Sequence, residues 1–424
     1  MLDMQKKLTT AFYAILSLPA TAMGFALSVQ ISALSWILST KFGLDLHEIG
    51  YVWAAGPLAG IFGQVIIGLI SDKAWFWGGR RRPFIFIGGP IAALMLLALP
   101  NIGEIADAVG MTNLIVVATV VALTLDLAIN ISFNPTRSII ADVTPEGDNR
   151  TKGYTWMQTI SGFFGVLAYI IGATWGNIAL IYIGVAIVFL FSVVPVIFIK
   201  EPRELTVSEE KTVDAGGSAR SNFSELMKLY IAHGFSWIGV QTMFVYTIGF
   251  IQQNLGTSSD TETGQVISIS FAVLNTIGFI LPALVFSKMS SKMGRVRTHF
   301  SSLIVMAAAY LYIALVAGSP MEMYAAMAFA GVGWAAIVSL PFAIMSEKVD
   351  KNRMGYYMGI FNLSVVIPQL IVSLVIGNFI QAAENKNIIY LIASVSLAIS
   401  AVLWKSVKDT PPAENINTTT SSGH

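Results

Sequence analysis

Residues 113–141, NLIVVATVVALTLDLAINISFNPTRSIIA, form an apolar stretch with one acid at its middle. A helix needs about 20 apolar residues to cross hydrocarbon, and this stretch supplies them with Asp126 as the interruption. No other acid in the chain falls near the middle of such a stretch. Asn130, Phe133 and Arg137 follow it at spacings of 4, 7 and 11, which puts all four on one face of a 3.6-residue helix. Asn134 is turned roughly 80° away, at about 100° per residue, and Pro135 predicts a kink. A rise of 1.5 Å per residue sets the Asp126 and Arg137 backbones roughly 16 Å apart, so no standing ion pair is expected between them. Intramembrane acids are costly and mark function by default. The structural alternatives are an acid hydrogen-bonded between helices for Asp126 and a snorkelling cation for Arg137.

On either side lie stretches of the same kind, at 11–38, 48–71, 83–100, 153–175, 178–199, 226–254, 265–287, 299–317, 322–345, 355–381 and 388–405. The total of twelve is even, so both termini lie on one side of the membrane. Of the 25 Lys and Arg, only Lys41 and Lys386 fall outside if that side is cytoplasmic, as the positive-inside bias requires. The charged, Gly/Ser-containing segment 201–224 divides the spans six and six and reads as a cytoplasmic linker. The expected organisation is a six-helix bundle over 1–200, that linker, a second bundle over 225–407, and a polar tail over 408–424 expected to be disordered. A basic loop with a glycine follows both the second span (Asp72, Lys73, Gly79, Arg80, Arg81, Arg82) and the eighth (Lys288, Lys292, Gly294, Arg295, Arg297). Such recurrence is what a duplicated transporter fold predicts.

The remaining intramembrane amides are Gln30, Gln64, Gln158, Gln241, Gln252, Gln253, Asn275, Asn362, Gln369 and Asn378. None falls in spans 3, 6, 9 or 12, so those four are expected to face lipid and the other eight to line a central cavity. Trp237 and Gln241 lie one turn apart and offer an aromatic ring beside an amide, which suits a sugar with apolar faces and a hydroxyl edge. Helix packing accounts for that pair, and for Gln158, Asn275, Asn362 and Gln369, equally well. His233, near the inner end of span 7, reads as a satisfied structural histidine before a proton relay.

Composition excludes several classes. The chain is 55% hydrophobic and 12% charged over 424 residues, with a mean hydropathy of +0.71, far from soluble globular usage. A net charge of +1 sorted by membrane side offers no nucleic-acid surface. Cysteine is absent and the four His have no paired spacing, so neither disulfides, thiolate metal sites nor a His metal cage are expected. The polar start MLDMQKKLTT lacks a cleavage site, so the first apolar stretch reads as a retained span.

Several stretches resemble a known family. They are GPLAGIFGQVIIGLISD (56–72), GGRRRPFIFIGG (78–89), LDLAINISFNPTRSIIADV (125–143), LPFAIMSEKV (340–349) and GIFNLSVVIPQLIVSLVIG (359–377). Together they are similar to the glycoside-proton symporters of the major facilitator group, which include plant sucrose carriers and their animal and bacterial sugar-carrying relatives. That resemblance implies the major facilitator fold, all-α, with twelve transmembrane helices in two pseudo-symmetric six-helix bundles. Family members carry an intramembrane Asp followed by Arg in a P-x-R-x-x-x-x-D run, matched here by Asp126, Pro135, Arg137 and Asp142. The resemblance implies Asp126 as the proton-coupling acid, Arg137 as a coupling or sugar-recognition residue, and Asp72 with Arg80, Arg81 and Arg82 as a gating loop. Plant members carry charges at the outer end of span 7, where this chain has VYTIGFIQQNLG (245–256) with none.

The expectation is therefore a proton-coupled symporter that imports a glycoside, a disaccharide such as sucrose or maltose. It needs no cofactor beyond the coupling proton and acts as a monomer among the lipids of a cell's limiting membrane. Asn130, Gln30, Gln158, Trp237, Gln241, Asn275 and Asn362 join Arg137 as candidates for the substrate site. A passive sugar facilitator is the neighbouring reading. An intramembrane enzyme acting on a lipid-linked sugar would need a second acid or a nucleophile near Asp126, where the sequence offers amides.

Overall fold

The computed structural model describes residues 2–61, 70, 75–145, 148–203, 223–346, 348–349 and 354–409. Gln64, Asp72, Lys73, most of the expected linker and nearly all of the expected tail lie outside them. Among the described residues there is helix and no strand. After a short helix Leu2–Lys6, the elements are α1 (Thr10–Thr40), α2 (Leu46–Trp53, with helix continuing to 61), α3 (Arg82–Ala98), α4 (Leu114–Val143), α5 (Asp148–Trp175) and α6 (Asn177–Phe198). The second half comprises α7 (Phe223–Asn254), α8 (Asp260–Leu281), α9 (Arg295–Leu315), α10 (Pro320–Ser346), α11 (Met354–Ile371) and α12 (Ile388–Trp404). Each begins within a few residues of an expected span, and the inner end of the second span lies outside the described residues.

Local chemistry sets the boundaries. The Asn113 side chain accepts from the Ile115 amide at the start of α4, and Ser259 accepts from Glu262 at the start of α8, each satisfying an orphan donor of a first turn. The α8 and α11 helices run on through π-helical turns at Pro282–Phe286 and Val372–Ile376 into Ser287–Met293 and Gly377–Ala382. A π-turn loosens the carbonyl ladder; the Val372 carbonyl is taken up by the Tyr246 hydroxyl of α7 at 3.1 Å.

The two halves pack alike. The third helix lies on the fourth and sixth, α3 on α4 and α6, and correspondingly α9 on α10 and α12. The first lies on the fifth and sixth, α1 on α5 and α6, and correspondingly α7 on α11 and α12. This is the expected arrangement of two pseudo-symmetric six-helix bundles. Ten helices among the described residues are long and apolar enough to span a bilayer; α12 is a shorter eleventh, and residues 46–61 begin the second span of twelve. The chain is a multi-pass membrane protein. Leu94, Leu190, Leu315 and Val402 are exposed on helices 3, 6, 9 and 12, the four expected to meet lipid.

The halves meet chiefly at one end, where α1 finishes and α2 begins. There the Trp36 indole donates to the Asp260 carbonyl at 2.6 Å, the Ser35 hydroxyl to the Val245 carbonyl at 2.8 Å, and the Leu46 amide to Gln381 at 3.0 Å. Asn177, buried at the start of α6, accepts from Ser268 of α8 at 3.0 Å and from Ser32 of α1 at 3.2 Å. Gln252 reaches Ser39 at 3.3 Å. The charge-free end of span 7 thus closes the seam through an amide. Gly50 brings the second span against α11, since a Cβ there would stand 2.4 Å from the Tyr246 hydroxyl and 2.5 Å from the Ser373 carbonyl.

Candidate functional site

A cavity of about 340 Å³ lies between the halves, at the lower end of the roughly 300–1,000 Å³ of small-molecule sites. Its walls come from spans 1, 2, 4, 7, 10 and 11. None comes from the four lipid-facing helices. The acid and amides of α4 and α1 form one wall: Asp126, Asn130 and Gln30. Opposite stand Trp237 and Gln241 of α7, Trp334 of α10, and Asn362 and Gln369 of α11. Polar side chains in hydrocarbon must face protein or water, which is why these amides converge.

Asp126 is 6% exposed. The Gln30 amide donates to its carboxylate at 3.0 Å, a bond to a charged acceptor worth about 1.5–3 kcal/mol when the acid is ionised. Asn130 donates at 2.8 Å to the backbone carbonyl of Asp126 one turn back, and Gln369 to Gln241 at 3.3 Å. Gly56 of the second span faces the acid; a Cβ there would stand 3.3 Å from the carboxylate oxygen. Gly56, Trp53 and Trp334 are wall residues the sequence reading did not single out. Only the size of Gly56 and its place in an apolar run could have pointed to a close approach.

Three candidates stand elsewhere. Arg137 does not line this cavity; its guanidinium lies 4.1 Å from the centre of the Phe133 ring, while Phe133 itself reaches the wall. The face assignment along α4 therefore stands for Asp126, Asn130 and Phe133, whereas Arg137 lies too far toward the chain-terminus end. No ion pair among the described residues joins it to Asp126. Gln158 and Asn275 line a second, larger cavity of about 1,060 Å³, between α5 with α1 and α8 with α10, toward the chain-terminus end. Asn275 is engaged at both ends of its amide, donating to the Phe271 carbonyl at 2.9 Å and accepting from the Trp334 indole at 3.1 Å. Trp334 separates the two cavities, lining both.

The basic loop is organised around two acids. Glu201 accepts from the backbone amides of Arg80, Arg81 and Arg82 at 2.7, 2.9 and 2.7 Å, capping α3 with a carboxylate where the helix dipole favours one. The Arg81 guanidinium pairs with Asp142 of α4 at 3.1 Å, both side chains about one-tenth exposed. Arg82 donates to the Val196 carbonyl at 2.8 Å. These contacts tie α3 to α4 and α6 within the first half. Asp72, the acid of this loop, lies outside the described residues.

A cavity that holds a buried acid and several amides, set between two pseudo-symmetric bundles that meet chiefly at one end, is the arrangement of a membrane transporter. The chain belongs to the Major Facilitator Superfamily, whose family model matches residues 16–373 and 229–422. A sucrose transport protein of Arabidopsis thaliana is 24% identical over 90% of this chain and 85% of its own length. One from Oryza sativa subsp. indica is 26% identical over 87% and 86%. The general alpha-glucoside permease of Schizosaccharomyces pombe is 29% identical over a shorter stretch, 37% of this chain and 31% of its own. Among solved structures, the nucleoside transporter NupG superposes with a TM-score of 0.71 at 13% identity, covering 93% of this chain and 98% of that one. The inward-open xylose transporter XylE from E. coli superposes with a TM-score of 0.70 at 14% identity, covering 95% and 97%. These relatives and the fold are those of transporters, which removes the intramembrane-enzyme reading.

Proposed function

We propose that this chain imports a glycoside, a disaccharide of the sucrose or maltose kind, together with a proton. It does so as a monomer by alternating access, with both termini in the cytoplasm of a cell's limiting membrane. The observation that carries the reading is Asp126, buried at mid-height in a cavity whose other polar groups are amides, set among aromatic rings and aliphatic side chains. Amides offer donors and acceptors to sugar hydroxyls, and indole rings suit the apolar faces of a sugar. The names of the plant and yeast relatives, sucrose transport protein and alpha-glucoside permease, support sugar as cargo. Asp126 is the titrating group that can exchange a proton with either side as the halves rock. Gln30 can donate to the ionised acid and, by turning its amide, accept from the protonated one.

In this orientation the closed seam faces outward and the larger cavity opens to the cytoplasm. Arg137 is then a coupling or recognition residue met by the sugar or proton on its way in. Asp72 and the Arg80–Arg82 loop bias the cytoplasmic-side conformation without touching cargo. Reconstituted protein tested against labelled mono- and disaccharides, with and without an imposed pH gradient, checks the reading. Gradient-driven accumulation of a disaccharide is expected. Uptake that only equilibrates, indifferent to the gradient, would make the chain a passive facilitator.

A further inference from the structure

The second-half wall of the central cavity is aromatic and held in place from behind. Trp237 and Trp334 meet nearly at right angles, centroids 6.1 Å apart and planes at 82°. Phe244 packs edge-on against Trp334 at 5.4 Å. Each indole N–H is directed to a specific acceptor: Trp237 donates to His233 Nε2 at 3.0 Å, and Trp334 to Asn275 Oδ1 at 3.1 Å. His233 is 2% exposed and stacks on Phe361, centroids 4.9 Å apart and planes 12° from parallel. Asn275 has its own N–H₂ tied to the Phe271 carbonyl, which orients its oxygen toward Trp334. His233 Nδ1 has no hydrogen-bond partner among the described residues. Accepting at Nε2 places the ring proton on Nδ1.

We propose that His233 and Asn275 are positioning residues of the binding cavity, fixing Trp237 and Trp334 so that they present ring faces rather than N–H donors to cargo. The proposal rests on the glycoside reading for its cargo, but the pinning itself does not. An indole whose N–H is already bonded has no donor left for a ligand oxygen, so these two walls recognise a cargo with an apolar ring face, and the amides of the other walls take its hydroxyls. Two faces at a right angle set the tilt of such a ring. A histidine in this place does the work of an acceptor, and neither its charge nor a metal is needed.

The test uses full-length protein labelled with 5-fluorotryptophan, the Trp237 resonance being assigned by its loss in Trp237→Phe. His233→Leu removes the acceptor and keeps an apolar filler, whereas His233→Gln supplies a side-chain oxygen to the same indole. Without any sugar present, His233→Leu is expected to shift or broaden the Trp237 resonance, and His233→Gln to restore it. For transport, KM for the disaccharide rises roughly three- to tenfold in His233→Leu, the size of an aromatic contact, while kcat stays within about twofold, and His233→Gln recovers most of the loss. Asn275→Leu against Asn275→Gln, which keeps both the amide oxygen and the N–H₂, gives the same contrast at Trp334 and stands in if a His233 variant fails to fold. An unchanged Trp237 resonance in His233→Leu, or an equal loss in His233→Gln and His233→Leu, would overturn the proposal. Wild-type protein that takes up no sugar from the panel would instead overturn the glycoside reading and leave the fluorine result to decide the pinning.

Discussion

Gly50→Ala should hold the seam of the two halves open. The added methyl would stand 2.4 Å from the Tyr246 hydroxyl and 2.5 Å from the Ser373 carbonyl. The first is the tip of a side chain but is bonded to Val372, and the second is backbone, so neither can step aside freely. Overpacking of this kind costs roughly 1–3 kcal/mol. The cost falls on the closed-seam state alone, because separation of the second span from α7 and α11 removes both contacts. The ratio of closed to open seam should therefore fall roughly five- to 150-fold. The absence of cysteine makes the assay direct. A single Ser39→Cys reports the seam and a single Gln158→Cys the larger cavity, each labelled with a membrane-impermeant maleimide in oriented vesicles. Gly50→Ala should speed labelling at Ser39→Cys, slow it at Gln158→Cys and lower sugar uptake. Gly318→Ala, where a Cβ meets nothing within 4 Å, is the control. Unaltered labelling at both reporters with normal uptake would refute the idea that Gly50 is a contact of the closed seam.

Three further outcomes follow from the geometry. Asp126→Asn should abolish accumulation against a gradient and its dependence on pH, while sugar exchange between preloaded vesicles and medium survives; one charge falling through 100 mV releases about 2.3 kcal/mol, so roughly 50-fold accumulation is at stake at about 1.36 kcal/mol per tenfold. Arg137→Lys keeps the charge but not the planar fork that lies on Phe133, and should retain much less than half of wild-type uptake; near-normal uptake would reduce Arg137 to a snorkelling anchor. Arg81→Met leaves Asp142 nearly buried without its ion-pair partner and should cost about 3–5 kcal/mol; thermal unfolding in detergent should show a lowered Tm that the double variant Arg81→Met/Asp142→Leu largely recovers, and equal losses in both would deny the pair its structural role.

Span positions, the sorting of helices into lipid-facing and cavity-lining, and the convergence of Gln30, Asp126, Asn130, Gln241, Asn362 and Gln369 were readable in the sequence. Hydrocarbon leaves a polar side chain few places to go, so composition along the chain translates into placement. The reach of the cavity and its neighbours were not readable. The helical rise set Arg137 roughly 16 Å from Asp126 without showing that the cavity stops short of it, and nothing local to Gln158 or Asn275 says that α5 and α8 border a different cavity from α4 and α7. Trp334 was hidden in an apolar run where an indole reads as packing. Asn177 sits at the boundary of a lipid-facing span, and only the fold shows it turned into the seam toward Ser32 and Ser268. Gly50 and Gly56 acquire meaning only from the atoms opposite them, which belong to α7 and α11 for one and to α4 for the other.

The central claim is that sugar and proton cross together through Asp126, and movement of protons driven by sugar alone tests it most directly. Purified protein is sealed into vesicles containing a pH-sensitive dye, with equal pH on both sides and the membrane potential clamped, and a disaccharide is added outside. Wild-type protein should acidify the lumen in step with entry of labelled sugar, about one proton per sugar from the one acid among the described residues of the cavity, and Asp126→Asn should admit no protons. Sugar entry without a pH change in the wild type, or an undiminished proton signal in Asp126→Asn, would contradict the account.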